Sequence, residues 1–167
     1  GGAGAIVTAS GMAAVTTVLH LLRPDDLLVA PHDCYGGTFR LIEALSAKGL
    51  FRRRYADLTD ARALAEAIAE GPRILWIETP SNPLLRITDV RPAVAAAGRV
   101  GALVVVDNTF LSPALQRPIE LGADLVVPST TKYLNAHSAV VGGAVVPADA
   151  ALHEEIGWWA NCLGVTG

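Results

Sequence analysis

Cysteine is scarce. The chain has two, Cys34 and Cys162, which form neither a CxxC pair nor the even, spaced set of a disulfide framework. That excludes a disulfide-stapled scaffold and suits a reducing compartment, so a cytoplasmic location is expected. An excess of basic residues is missing too, since 13 Lys and Arg against 16 Asp and Glu leave a net charge of −3. No nucleic-acid partner is expected on that balance. The one basic run, Arg52-Arg53-Arg54, reads as a solvated strand face. Metal signatures are lacking, because His20, His32, His137 and His153 have no spacing that puts two on one helix face and there is no H-E-x-x-H. No metal site is expected.

Nucleotide signatures fail in the same way. Gly2-Ala-Gly4 opens like a dinucleotide fingerprint, but Val7 stands where the third glycine belongs, and no G-x-x-x-x-G-K-S/T occurs. Residues 1–22 carry no charge apart from His20, yet Gly, Ser and Thr run through them, no basic segment precedes them, and Ser10-Gly11 interrupts the apolar stretch. They read as neither a membrane span nor a signal peptide, and no membrane partner is expected. Ser129-Thr-Thr-Lys132 matches the S-x-x-K of serine acylases, but the S-D-N and K-T-G elements those enzymes need are absent.

What is present is apolar material, 51% of 167 residues, enough for the core of one compact domain. Short β-rich runs near Leu27–Ala30, Phe51–Tyr55, Ile74–Ile77, Leu103–Val106, Leu125–Val127 and Ala144–Val146 alternate with helical patterns. The helical patterns cover Met12–Leu22, Thr38–Lys48, Asp60–Glu70, Asp89–Arg99 and Asp149–Ala160. Alternation of that kind predicts an α/β fold, a mostly parallel sheet flanked by helices.

Ligands of such sheets bind beyond the carboxyl ends of the strands, which directs attention to the residues just past each apolar run. After Ile77 comes Glu78-Thr-Pro-Ser-Asn82-Pro; after Val106, Asp107-Asn-Thr109; after Pro128, Ser129-Thr-Thr131-Lys132; after Ala30, Pro-His-Asp-Cys-Tyr35-Gly-Gly. An amine, a carboxylate, an aromatic ring and hydroxyls near a helix start form the inventory that pyridoxal phosphate requires. Lys132 would supply the amine, Asp107 the acid that keeps the pyridine nitrogen protonated, and Tyr35 a ring to stack. The start of the helix after Ser10 offers N–H groups to a phosphate, and Ser129 and Thr131 can add hydroxyls. Each residue also has a bland reading: Ser10 as an ordinary N-cap, Asp107 as a strand-end cap, Tyr35 as a core tyrosine.

The stretches SGMAAV, APHDCYGGTFRL, ETPSNPLLRITD, VVDNTFLSPALQRPIELGADLVVPSTTKYLN and WWANCLGVTG resemble the transsulfuration, or Cys/Met metabolism, family of pyridoxal-phosphate enzymes over nearly the whole chain. The resemblance implies the aspartate-aminotransferase-like (type I) fold, with residues 1–167 as its cofactor-binding large domain. It also implies that the family's amino-terminal arm and carboxy-terminal domain are not in this sequence. By resemblance the catalytic residues are Lys132, Tyr35 and Asp107. Gly11, Met12, Ser129 and Thr131 then bind phosphate, Asn82 approaches the phenolic oxygen, and Thr109 supports the ring face, while Glu78 is taken as structural. The implied reaction is γ-replacement on an activated homoserine by cysteine, giving cystathionine, as part of methionine biosynthesis. Lyase action on cystathionine or methionine, homoserine sulfhydrylation, and a noncatalytic cofactor-binding fragment stay open. An amino-acid substrate and a homo-oligomer, dimer or tetramer, are likewise implied.

One departure stands out. Where the family usually reads Gly-His-Ser-Asp after TKYLN, this chain has Ala136-His137-Ser138-Ala139. If the glycine position needs a positive φ, the alanine costs on the order of 1 kcal/mol.

Overall fold

The computed structural model describes residues 1–137 and 139–166, so Ser138 of the departure just noted lies outside the described residues. In chain order the elements are β1 (Ile6–Thr8), α1 (Gly11–Leu19), β2 (Leu27–Pro31), α2 (Gly36–Ala47), β3 (Arg52–Ala56), α3 (Ala61–Ile68) and β4 (Ile74–Glu78). There follow α4 (Val90–Gly98), β5 (Leu103–Asp107), α5 (Ser112–Leu115), a 3-10 turn (Pro118–Leu121), β6 (Leu125–Val127), β7 (Gly143–Pro147) and α6 (Ala150–Leu163). Two compact units divide them: Gly1–Leu21 with Asp107–Gly167, and Leu22–Val106.

The second unit is a βαβ succession whose strands lie in the order β5, β4, β2, β3. β2 runs parallel to β3, with Leu27 opposite Arg52, and parallel to β4, with Leu28 opposite Ile74. Every residue of β2 and β4 is buried, which is why these strands read as unbroken apolar runs. Leu28, Ile74, Leu75, Trp76 and Ile77 have no exposed surface; each such side chain contributes about 2 kcal/mol of burial. β3 is different because it is an edge. Its arginines are solvated: Arg52 donates to the Asp25 carbonyl, Arg53 pairs with Glu43, and Arg54 with Glu70. Charge on an exposed edge discourages pairing with another chain.

In the first unit the strand order is β1, β7, β6, and both pairings are antiparallel, with Ile6 opposite Val145 and Leu125 opposite Pro147. α1 and α6 pack on β7 and on each other. β1 is absent from the sequence reading, since three residues inside a Gly-rich stretch carry too little periodicity to register. The predicted starts of three helices, Asp60, Asp89 and Asp149, are their N-caps. Each side chain accepts from backbone N–H groups of the first turn, so each helix begins one residue later. α1 also ends sooner than its apolar pattern, at Leu19, with His20 as its cap.

Among the described residues no helix is long and apolar enough to cross a membrane, and no group of three or more His, Cys, Asp or Glu could hold a metal ion.

Candidate functional site

Seven of the nominated residues belong to the first unit. Asp107 ends β5, and its Oδ1 accepts the Thr109 N–H at 3.0 Å. Thr109 in turn accepts the Ser129 N–H on Oγ1 at 2.8 Å, so one hydroxyl ties the loop after β5 to the loop after β6. Between them, the buried Asn108 donates from its backbone to the Val127 carbonyl at 3.2 Å and exchanges two amide bonds with Gln116, at 2.9 and 3.0 Å. Burial pushes the Asp107 carboxyl above the ordinary aspartate range, while the Thr109 hydroxyl and N–H pull the other way.

Ser129 to Lys132 form a turn in which the Lys132 N–H reaches the Ser129 carbonyl at 3.3 Å. The Thr131 hydroxyl is locked by Gly142, donating to its carbonyl at 3.1 Å and accepting from its N–H at 3.0 Å. Lys132 itself is exposed. Further on, the Ala136 N–H bonds the Lys132 carbonyl at 2.9 Å, and Ala136 has φ +52°. The left-handed conformation anticipated for that position is therefore occupied by alanine, whose Cβ crowds the following carbonyl. Ala136→Gly is expected to stabilise the chain by about 1 kcal/mol, read as a higher urea midpoint at unchanged slope.

Gly11 and Met12 open α1, capped by Ser10, whose Oγ accepts the Ala13 N–H at 3.1 Å. With Ala13 taken by the cap, the Gly11 and Met12 N–H groups are the first-turn donors without an intrahelical acceptor. A Cβ on Gly11 would lie 2.6 Å from Ser129 Cβ and 2.8 Å from its Oγ, so glycine lets the helix start close onto the Ser129 hydroxyl. Gly142 and Gly143 went unnominated, yet they matter here. A Cβ on Gly143 would sit 2.4 Å from the Ser10 carbonyl oxygen, and one on Gly142 would sit 2.5 Å from Thr130 Oγ1. The paired glycines of VVGGAVV were the available signal, and only close approach of another backbone gives them meaning.

The other two nominees, Tyr35 and Asn82, belong to the second unit. Tyr35 is the N-cap residue of α2 and 44% exposed, so it is not a core tyrosine. Asn82 lies in the loop after β4. The buried Glu78 joins them: its Oε2 accepts the Tyr35 N–H at 2.9 Å and its Oε1 the Asn82 N–H at 2.8 Å. The loop is braced further on. Ser81 donates to Asp33 at 2.5 Å and accepts the Arg86 N–H at 3.1 Å. The Arg86 guanidinium reaches Asp57 at 2.6 Å and Thr59 Oγ1 at 2.5 Å. Hydrogen bonds from Thr59 and Arg86 hold the Asp57 carboxyl well below the usual carboxylate range.

The model of the Cys/Met metabolism PLP-dependent enzyme family, PLP being pyridoxal phosphate, matches residues 1–167. The chain belongs to this family. Cystathionine γ-synthase of Escherichia coli strain K12 is 55% identical over 170 residues, spanning 100% of this chain and 44% of the relative. The crystal structure of cystathionine γ-synthase from Xanthomonas oryzae pv. oryzae in complex with cystathionine is 62% identical with a TM-score of 0.98, covering 99% of this chain and 43% of that one. A cystathionine γ-lyase from Micromonospora echinospora is 45% identical with a TM-score of 0.95, over 99% of this chain and 44% of the other. This family member thus spans less than half the length of the relatives it matches. The shared architecture is the mostly parallel, mixed sheet flanked by helices of the type I pyridoxal-phosphate fold.

Proposed function

We propose that the chain is the cofactor-binding large domain of a transsulfuration enzyme that joins cysteine to an activated homoserine, releasing the acyl group as a carboxylate and forming cystathionine. The observation that carries this is 62% identity, at a TM-score of 0.98, to a synthase solved with cystathionine bound. A cytoplasmic homo-oligomer acting on amino acids is part of the same reading.

The donor set fits pyridoxal phosphate. A half-buried carboxyl whose proton affinity is raised suits contact with a protonated ring nitrogen, since a cation beside it offsets the desolvation that now opposes ionisation. The glycine at position 11 lets the start of α1 close onto the Ser129 hydroxyl, and helix-start N–H donors beside hydroxyls match a phosphate. On this reading Lys132 holds the cofactor covalently. Asp107 keeps the ring nitrogen charged, and Thr109, bonded to Asp107, supports the ring face. Gly11, Met12, Ser129 and Thr131 bind the phosphate. Tyr35 stacks on the ring, and Asn82 reaches the phenolic oxygen.

When bound, pyridoxal phosphate supplies an electron sink that acidifies first the Cα and then the Cβ proton of the substrate, which lets the γ-substituent leave. Lys132 Nζ is the group positioned to take and return those protons, with the Tyr35 hydroxyl assisting. Asp107 holds one proton at the ring nitrogen throughout.

The test is to supply an O-acylhomoserine with cysteine and follow products by mass spectrometry. Cystathionine is the expected product. Ketoacid and ammonia alone would replace this reading by the lyase reading, which the 45% identity to a γ-lyase makes the specific rival. Cofactor uptake without either product would leave a noncatalytic cofactor-binding fragment.

A further inference from the structure

Glu78 has no task in the roles just given, yet it is a carboxylate only 5% exposed at the end of a fully buried strand. It accepts the Tyr35 N–H on both oxygens, at 3.1 and 2.9 Å, and the Asn82 N–H on Oε1 at 2.8 Å. Those N–H groups come from two separate segments, one 43 residues before it and one four residues after.

α2 shows why the carboxylate is needed. The helices α1, α3, α4 and α6 are capped by their own Ser10, Asp60, Asp89 and Asp149. α2 has Tyr35 at the N-cap, no side-chain cap bond, and no acidic residue in its first turn. In a capping box, a glutamate in the first turn accepts the N–H of the N-cap residue. Glu78 accepts that N–H from a neighbouring strand, and it adds negative charge at the positive end of the helix. The cap is thus supplied from elsewhere, which frees position 35 to carry a ring. Because the same carboxylate also holds Asn82, the cap and the loop after β4 are set by one group.

We propose that Glu78 is a positioning residue: one carboxylate fixes Tyr35 and Asn82 relative to each other before cofactor arrives. This rests on the reading in which those two residues meet the ring and its phenolic oxygen. Glutamine cannot substitute for it, because an amide has one acceptor oxygen and would turn N–H donors toward the Tyr35 N–H.

The test uses amide hydrogen exchange on the chain without added cofactor, with pyridoxal phosphate affinity measured separately by absorbance titration. In the unsubstituted chain, the Tyr35 and Asn82 amides should exchange slowly and in one kinetic class. In Glu78→Gln both should exchange about tenfold faster, the Leu28 amide should keep its rate, and pyridoxal phosphate affinity should fall about tenfold, as for loss of one charge-assisted bond. Fast or unlinked exchange of the two amides in the unsubstituted chain overturns the clamp, and so does unchanged exchange in Glu78→Gln. The first of these outcomes needs no variant to fold and no cofactor to bind. Loosened amides with unmoved affinity overturn the positioning role, whereas an unsubstituted chain that takes up no pyridoxal phosphate counts against the proposed function and leaves exchange to decide the clamp.

Discussion

Lys132→Ala is expected to abolish the adduct that borohydride fixes between pyridoxal phosphate and the chain, taking it from stoichiometric to none. The inference is sharp because the chain has only two lysines, Lys48 and Lys132. Lys48 caps the carboxyl end of α2, in the unit that does not contain Lys132. Lys48→Ala should therefore retain the adduct, and peptide mapping of the reduced protein should find the added mass on residues around 132. The fold is not expected to report the change. Lys132 is exposed, and substitutions at such positions usually move stability by less than about 0.5 kcal/mol. A Lys132→Ala protein that still carries the reduced cofactor would remove the amine from the site and with it the proposed reaction.

Asp107→Asn separates function from stability in opposite directions. Without cofactor, the Asp107 carboxyl has a proton affinity raised above the ordinary aspartate value, with desolvation the dominant cause. The folded state then binds this proton more tightly than the unfolded chain does. Its stabilising contribution is complete below the ordinary aspartate value and is lost as pH rises through the raised one. Asparagine keeps the shape and removes the ionisation. The cofactor-free variant should therefore unfold at a higher midpoint than the unsubstituted chain at pH 7 to 8, with the difference closing as the pH falls below the ordinary carboxylate range. With cofactor bound the sign reverses, because the ring nitrogen loses its charged partner. The rate at which a bound amino acid exchanges its Cα proton with deuterated water should drop on the order of 10² to 10³-fold, the scale for losing one preorganised electrostatic group. A variant that is less stable at pH 8, or one that exchanges at the normal rate, contradicts this account of position 107.

The unit that holds Asp107 also holds three glycines that let its loops pack closely. Gly11, Gly142 and Gly143 each mark a place where a side chain would strike another segment, so the loops that bear Ser129 to Lys132 can close onto the start of α1. Ala136, with φ +52°, breaks that habit at a turn following the lysine. The stability it costs falls in the same unit as Lys132.

Several features were legible in one dimension because local physics produces them. β2 and β4 are buried throughout, so their residues had to be apolar without alternation, and polar groups could begin only where the strands end. Asp60, Asp89 and Asp149 announce helix starts because an N-cap bonds within its own turn. Arg52 to Arg54 declare a solvated edge because three neighbouring charges have no place in a buried strand. From such patterns the α/β class, most element positions and the chemical types beyond the strand ends follow from the sequence alone.

Pairing, by contrast, depends on segments that the chain separates. Nothing local to Glu78 reveals that Tyr35, 43 residues earlier, leans its N–H on it, or that Thr109 bridges Asp107 to Ser129. The antiparallel seam of β1, β7 and β6 is hidden for the same reason, since a three-residue strand has no periodicity and takes its place from its neighbours. The raised proton affinity of Asp107 arises from what buries it, not from what adjoins it in sequence. Composition and spacing determined most of the elements and which groups stand at their ends; only the folded chain decided which of those groups touch, because hydrogen bonds and burial act through distances of a few ångströms that sequence separation does not measure.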